Sequence, residues 1–164
     1  MIRAATVADI PAIRAIAHTA WPVAYGSILS SAQLAYMLEL MYSAAALREQ
    51  MTVKGHRFII AEDNGLPIGF AGFEHGHKGL PRTRLHKLYV LPETKGTGVG
   101  ALLLSAVESA AHDAGDNLVE LNVNRFNPSK DWYQRKGFVI ERDEVIDIGH
   151  GYVMDDHVMA KSLN

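Results

Sequence analysis

The sequence contains no cysteine, which excludes a disulfide framework, a thiolate metal site and a cysteine nucleophile. Aromatic residues are scarce at 8%, and no uncharged apolar run approaches the ~20 residues that a membrane-spanning helix needs. Net charge is small as well: sixteen basic against eighteen acidic residues leave −2, too little for a global field that attracts a nucleic-acid backbone or an anionic membrane. The opening MIRAATVADIPAIRAIA carries Arg3, Asp9 and Arg14 where a secretory signal would have an apolar run. These absences predict a cytoplasmic protein with neither nucleic acid nor membrane as a partner.

What remains is globular in composition. Over 164 residues, 48% are apolar and 21% charged, enough to build one core and too little length for a second domain. A single domain over residues 1–164 is expected.

The order of elements follows from local signals. A short apolar strand over residues 2–5 precedes Thr6, and Asp9 stands three positions on in a capping-box arrangement. Ile10, Ile13, Ile16 and Ala17 then mark one helical face. Ser30 with Gln33 starts a second helix, and Ser43 starts a third that ends at Gly55. From Phe58 the pattern alternates as strands: FIIAE and PIGFAGFE flank a turn at Asp63, Asn64 and Gly65, and a further strand covers residues 84–91 after a loop. A helix follows, with Gly115 as its C-cap, then a strand over residues 118–123. A short helix between Pro128 and Gly137 and two final strands, 138–146 and 152–161, complete the chain. The plan is α+β: one mixed, mostly antiparallel sheet of about seven strands flanked by helices, with a central β-α-β crossover whose strands run parallel.

Between the strand and helix of that crossover lies KGTGVG. Backbone amides at a helix start, unobstructed by side chains at Gly96, Gly98 and Gly100, are suited to hold a phosphate. The run has neither the Lys-Ser/Thr of a P-loop nor the G-x-G-x-x-G spacing of a dinucleotide turn.

Here the sequence resembles the GNAT superfamily of N-acetyltransferases, whose turn reads V-x-P and then [QR]-x-x-G-x-[GA]. Val90 and Pro92 match the first part, and Gly98 and Gly100 the second. Lys95 stands where Gln or Arg is usual. A second stretch, NRFNPSKDWYQRKGF, matches the family at Asn127, Trp132, Tyr133, Arg135, Gly137 and Phe138, with Lys130 at a position where a small residue is common. The two motifs stand in the right order and context, and the likeness covers nearly the whole chain.

The resemblance implies acetyl-coenzyme A as co-substrate and no metal. Lys95, Gly96, Thr97, Gly98, Val99, Gly100 and Ala101 would bind its pyrophosphate, and the main chain of Leu88, Tyr89 and Val90 its pantetheine arm. Asn127 would contact the cofactor or cap a helix. Tyr133 would protonate the departing thiolate, a reasonable transfer because thiol and phenol pKa values lie about 1.5 units apart. For the base, His86 stands first by its place in the strand before the turn and by an ordinary pKa near 6.5. Glu74 or a water is the alternative. His75 and His77 form an H-x-H pair with no third ligand implied.

Acceptor residues are expected in the first helices and last strands, at Trp21, Tyr25, Tyr36, Tyr152 and Asp155, with Tyr42, Asp147 and Asp156 nearby. An aromatic and acidic mouth suits a cationic amine. AWPVAYGSILS, LAYMLELMYS and MDDHVMAK are similar to bacterial acetyltransferases of polyamines or other small amines, which implies a small primary amine such as a polyamine. A protein or peptide amino group, or a non-catalytic regulator that binds acetyl-coenzyme A, are the competing functions, and a homodimer is left open.

Overall fold

A computed structural model describes residues 1–164. Strand β1 (Ile2–Ala4) leads through a capped 3-10 turn into helices α1 (Ile10–Tyr25), α2 (Ser31–Tyr42) and α3 (Ala44–Thr52). Strands β2 (Arg57–Asp63), β3 (Leu66–Glu74) and β4 (Arg82–Val90) follow. Helix α4 (Val99–Asp113), β5 (Leu118–Asn124), α5 (Ser129–Arg135), β6 (Val139–Gly149) and β7 (Tyr152–Ser162) complete the chain. The seven strands form one sheet in the order β1-β2-β3-β4-β5-β7-β6, antiparallel throughout except for β4 beside β5. The expected α+β plan is the observed one.

The local signals act as read. Thr6 and Asp9 form a reciprocal capping box, though around the 3-10 turn Val7–Asp9 rather than around α1 itself. Ser30 and Ser43 each accept a bond from the backbone three residues on. Ile10, Ile13, Ile16 and Ala17 are all buried. Gly115 sits one residue beyond the α4 C-cap with φ +84, a conformation that favours glycine. The last hairpin is longer than predicted, because β6 runs on to Gly149 and turns through His150.

The sheet divides two cores. On one face α4 and α5 cover Phe73, Leu85, Val119, Leu121 and Met159. On the other, α1, α2 and α3 pack on Phe58, Ile60 and Phe70. At about 25 cal/mol per Å² of apolar surface removed from water, such layers are the main stabilising contribution. No helix is long and apolar enough to cross a membrane.

Candidate active site

Two irregularities in β4 make the site. Its parallel pairing with β5 runs only from Arg82↔Leu118 to Leu85↔Leu121, so the strands part beyond Leu85. On the other edge, Gly72 pairs with Lys87 and Phe73 with Leu85, which leaves His86 unmatched in a bulge. A bulge shifts the two-residue alternation by one. Leu85 and Leu88 therefore both face the α4 core, whereas Lys87 and Tyr89 face α1 and α2.

Where the strands part, a cavity of about 660 Å³ opens, walled by Leu88, Tyr89 and Val90 on one side and by Leu121, Asn122 and Val123 on the other. One end is the glycine turn. Gly96 and Gly98 have φ of +85 and +89, and a Cβ added to either would meet nothing within 4 Å. The first helical bond of α4 runs from Leu102 N to Gly98 O at 3.0 Å. The amides of Gly96, Gly98, Val99, Gly100 and Ala101 consequently have no backbone acceptor, and such a group at a helix start favours an anion. The amides of Lys95 and Thr97 are not free in this way, since they bond to Pro92 O and Thr94 O. Lys95 still lines the cavity; Thr97 does not.

Gly100 is informative for a different reason. A Cβ there would sit 3.6 Å from Trp132, ordinary van der Waals contact, and its position lines the cavity. Packing within the protein does not require glycine at 100, and the family motif accepts alanine there; a larger side chain would project into the cavity. The free amides and the open turn fit a pyrophosphate.

From the other wall, α5 contributes Trp132 and Tyr133. Asn127 Oδ1 accepts from Ser129 N at 2.9 Å, so this residue orders the start of α5 while also lining the cavity. Tyr133 packs against Trp132 and Phe138, with ring centroids 4.9 and 5.5 Å away. Burial, with a smaller contribution from Tyr25, raises its phenol well above the ordinary value. Tyr133 is therefore protonated at neutral pH.

His86 lines this cavity from the bulge. Its Nε2 lies 3.0 Å from Glu74 Oε1, and this pairing leaves Nδ1 without a protein partner. Burial pushes His86 down to about 3, partly offset by the Glu74 bond, so the expected ordinary value near 6.5 is not met and the ring is a weaker base than that value implied. Burial would raise Glu74, but the hydrogen bonds from His86 and His77 outweigh it and hold the carboxyl low. A neutral imidazole is thus backed by an ionised carboxylate, the arrangement in which Nε2 carries the proton and Nδ1 accepts one.

The H-x-H pair does not converge. His77 Nδ1 meets Glu74 at 2.8 Å, while His75 Nδ1 meets Thr83 Oγ1 at 2.8 Å. His56, Glu74 and His86 do bring ligand atoms within 4.8 Å of one another. The His56 and His86 rings, however, stack at 4.1 Å and 12°, so their in-plane lone pairs run side by side rather than towards one ion about 2 Å away.

Beside the large cavity lies a chamber of about 160 Å³. Tyr25, Leu85, His86, Lys87, Tyr89 and Asn122 line both. Of the expected acceptor residues, Trp21 and Tyr25 border the chamber, as does Tyr42. Tyr36 and Tyr152 do not: their rings lie 5.4 Å apart, and the Tyr36 hydroxyl bonds to Ile148 O. Asp155 pairs with Arg125 at 3.1 Å, and Asp147 accepts from Gly149 N at 2.8 Å. The expected acidic mouth reduces to Asp156. Sequence reasoning missed Arg84, Lys87 and Asn122, which line the chamber and carry no motif.

Comparison with known proteins bears on the family and the fold. The sequence profile described as the acetyltransferase (GNAT) domain matches residues 29–154. An uncharacterised N-acetyltransferase of Mycobacterium tuberculosis is 28% identical over 156 residues, covering 94% of this chain and 98% of that one. The L-amino acid N-acyltransferase MnaT of Escherichia coli is 32% identical over 95 residues, 56% of this chain and 55% of its own. Among solved structures, the PaiA N-acetyltransferase of Thermoplasma acidophilum in complex with coenzyme A has a TM-score of 0.82 at 22% identity, covering 99% of this chain and 98% of that one. The profile match over most of the sequence decides the matter, and the chain belongs to the GNAT family of acetyltransferases.

Proposed function

We propose that this acetyltransferase moves an acetyl group from acetyl-coenzyme A to the primary amine of a small molecule by direct attack. The observation that carries the reading is the parting of β4 and β5, which opens one cavity from free helix-start amides at one end to His86 and Tyr133. When bound, acetyl-coenzyme A supplies a thioester carbonyl open to attack and a thiolate leaving group. The amides of Gly96, Gly98, Val99, Gly100 and Ala101 hold its pyrophosphate, and the unpaired edge of Leu88, Tyr89 and Val90 aligns the pantetheine arm. Asn127 orders the wall facing that arm.

The residues then divide the proton work. His86 Nδ1 takes the proton that the attacking amine must lose, and the Glu74 carboxylate fixes the tautomer and stabilises the imidazolium that forms. Tyr133 donates to the departing sulfur; burial raises the phenol and widens its gap from an ordinary thiol, so the transfer relies on the thiolate forming in the same desolvated cavity. One proton leaves the amine and one reaches the thiolate, so the step is balanced.

A small acceptor is favoured by the chamber volume of about 160 Å³, well below the ~300–1,000 Å³ of drug-sized sites. The similarity of LAYMLELMYS and MDDHVMAK to acetyltransferases of polyamines and small amines points the same way, as does the partial likeness to an amino-acid N-acyltransferase. Trp21 and Tyr25 form its aromatic wall. The test is thiol release from acetyl-coenzyme A with a panel of free amines, amino acids and peptides. Release with small amines is expected; release with peptides alone overturns the small-molecule reading, and none with any acceptor overturns transfer.

A further inference from the structure

Proton transfer and cofactor binding, as assigned above, make no use of Lys87, and its place is costly. It is only 7% exposed, pairs with no carboxylate and makes no hydrogen bond; its nearest partner is the face of Tyr42, 5.1 Å from Nζ to the ring centroid. A buried ammonium without a counter-charge is strongly disfavoured, whereas a leucine or methionine would fill the same space without that penalty. Lys87 also lines both cavities, at the bulge next to His86.

A second basic group faces the same chamber. Arg84 lines it, with a buried Nε that has no partner and only a distant contact to Glu120 at 3.9 Å, a carboxylate it shares with Arg82 at 3.7 Å. Asp156 is the one acidic lining residue. It accepts from Asn122 at 3.2 Å, and burial raises its carboxyl, which weakens it as a counter-charge. The chamber is therefore under-supplied with negative charge, the opposite of what a polyamine requires.

We infer that Lys87, with Arg84, seats a carboxylate carried by the acceptor, and that the acceptor is an amino acid or a similar small amine with an acid group a few bonds from its nitrogen. This rests on the acetyl-transfer reading above. It places the acid on the Lys87 side of the chamber and the amine towards His86, which borders the same space. A peptide N-terminus has no carboxylate at that distance and meets the ammonium with a neutral carbonyl.

The experiment uses chemically matched pairs, ornithine against putrescine and leucine against isoamylamine, with thiol release from acetyl-coenzyme A as the readout. The wild-type protein should give the higher kcat/KM with the acid-bearing member of each pair. Lys87→Met should raise KM for that member about tenfold or more, with KM for acetyl-coenzyme A and for the matched amine little changed, and Lys87→Arg should recover most of the loss. Because methionine removes a buried charge, this variant should melt no lower than wild type. Preference for putrescine and isoamylamine, or equal loss on both members in Lys87→Met, overturns the carboxylate seat while transfer stands. Absence of thiol release with every acceptor overturns both.

Discussion

The hydroxyls of Tyr25 and Tyr89 meet at 2.7 Å, joining the end of α1 to β4 between the two cavities. Both phenols are raised by burial, so the pair is neutral and each depends on the other. Changing either tyrosine alone to phenylalanine should cost about 0.5–1.5 kcal/mol, because the half-buried partner hydroxyl loses its hydrogen bond. The double variant should recover part of that loss. A double-mutant cycle in urea measures the coupling, and strictly additive losses would show that the bond contributes nothing.

Gly100→Ala separates stability from binding. Alanine gains about 0.5–1 kcal/mol over glycine in a helix, and its Cβ meets Trp132 at an unstrained 3.6 Å. The variant should melt at or above the wild-type temperature and keep its affinity for coenzyme A, because the family motif accepts alanine at this position, whereas Gly100→Glu should lose that affinity by calorimetry. Unchanged affinity in Gly100→Glu would remove the glycine turn from the pyrophosphate site.

Tyr133→Phe keeps the packing against Trp132 and Phe138 and removes one proton. Turnover should fall about 100-fold, within the usual range for losing a general acid, while KM for acetyl-coenzyme A stays within a few-fold. Wild-type kcat would reassign the donor to water.

Lys87 predicts a pH effect on stability whose sign can be fixed. Burial, with a smaller contribution from Lys54, pulls its pKa from 10.5 down to about 8. Between those values the unfolded chain binds more protons than the folded one, so stability rises with pH. At 1.36 kcal/mol per unit the gain is at most about 3 kcal/mol. The raised phenols of Tyr42, Tyr89 and Tyr133 oppose it above about pH 10. Urea midpoints at pH 7.5 and 9.5 should show the increase in the wild type and lose it in Lys87→Met.

Much of this arrangement is legible in the sequence itself. Gly96 and Gly98 announce a turn because only glycine adopts their φ freely, and Thr6, Ser30 and Ser43 announce helix starts because capping is local. Tyr133 followed from a motif. Glu74 and His86 were each named, yet their hydrogen bond arises from the pairing of β3 with β4, twelve residues apart. Lys87 and Arg84 were unreadable, since a basic residue in a strand looks solvated until the sheet buries it. Tyr36 and Asp155 failed for the converse reason: aromatic and acidic residues were assigned to a mouth before their partners Ile148 and Arg125 could be known.

The extra residue at position 86 also has an evolutionary consequence. Because the alternation restarts there, Leu88 and Val90 turn to the α4 face of the sheet while Lys87 and Tyr89 turn to the α1–α2 face, all within four consecutive positions. A lineage can exchange the second pair to reshape the smaller chamber and inherit the first pair intact. Loss of one residue from this stretch would instead swap the two faces, burying a charge in the α4 core and an aliphatic chain against α1 and α2.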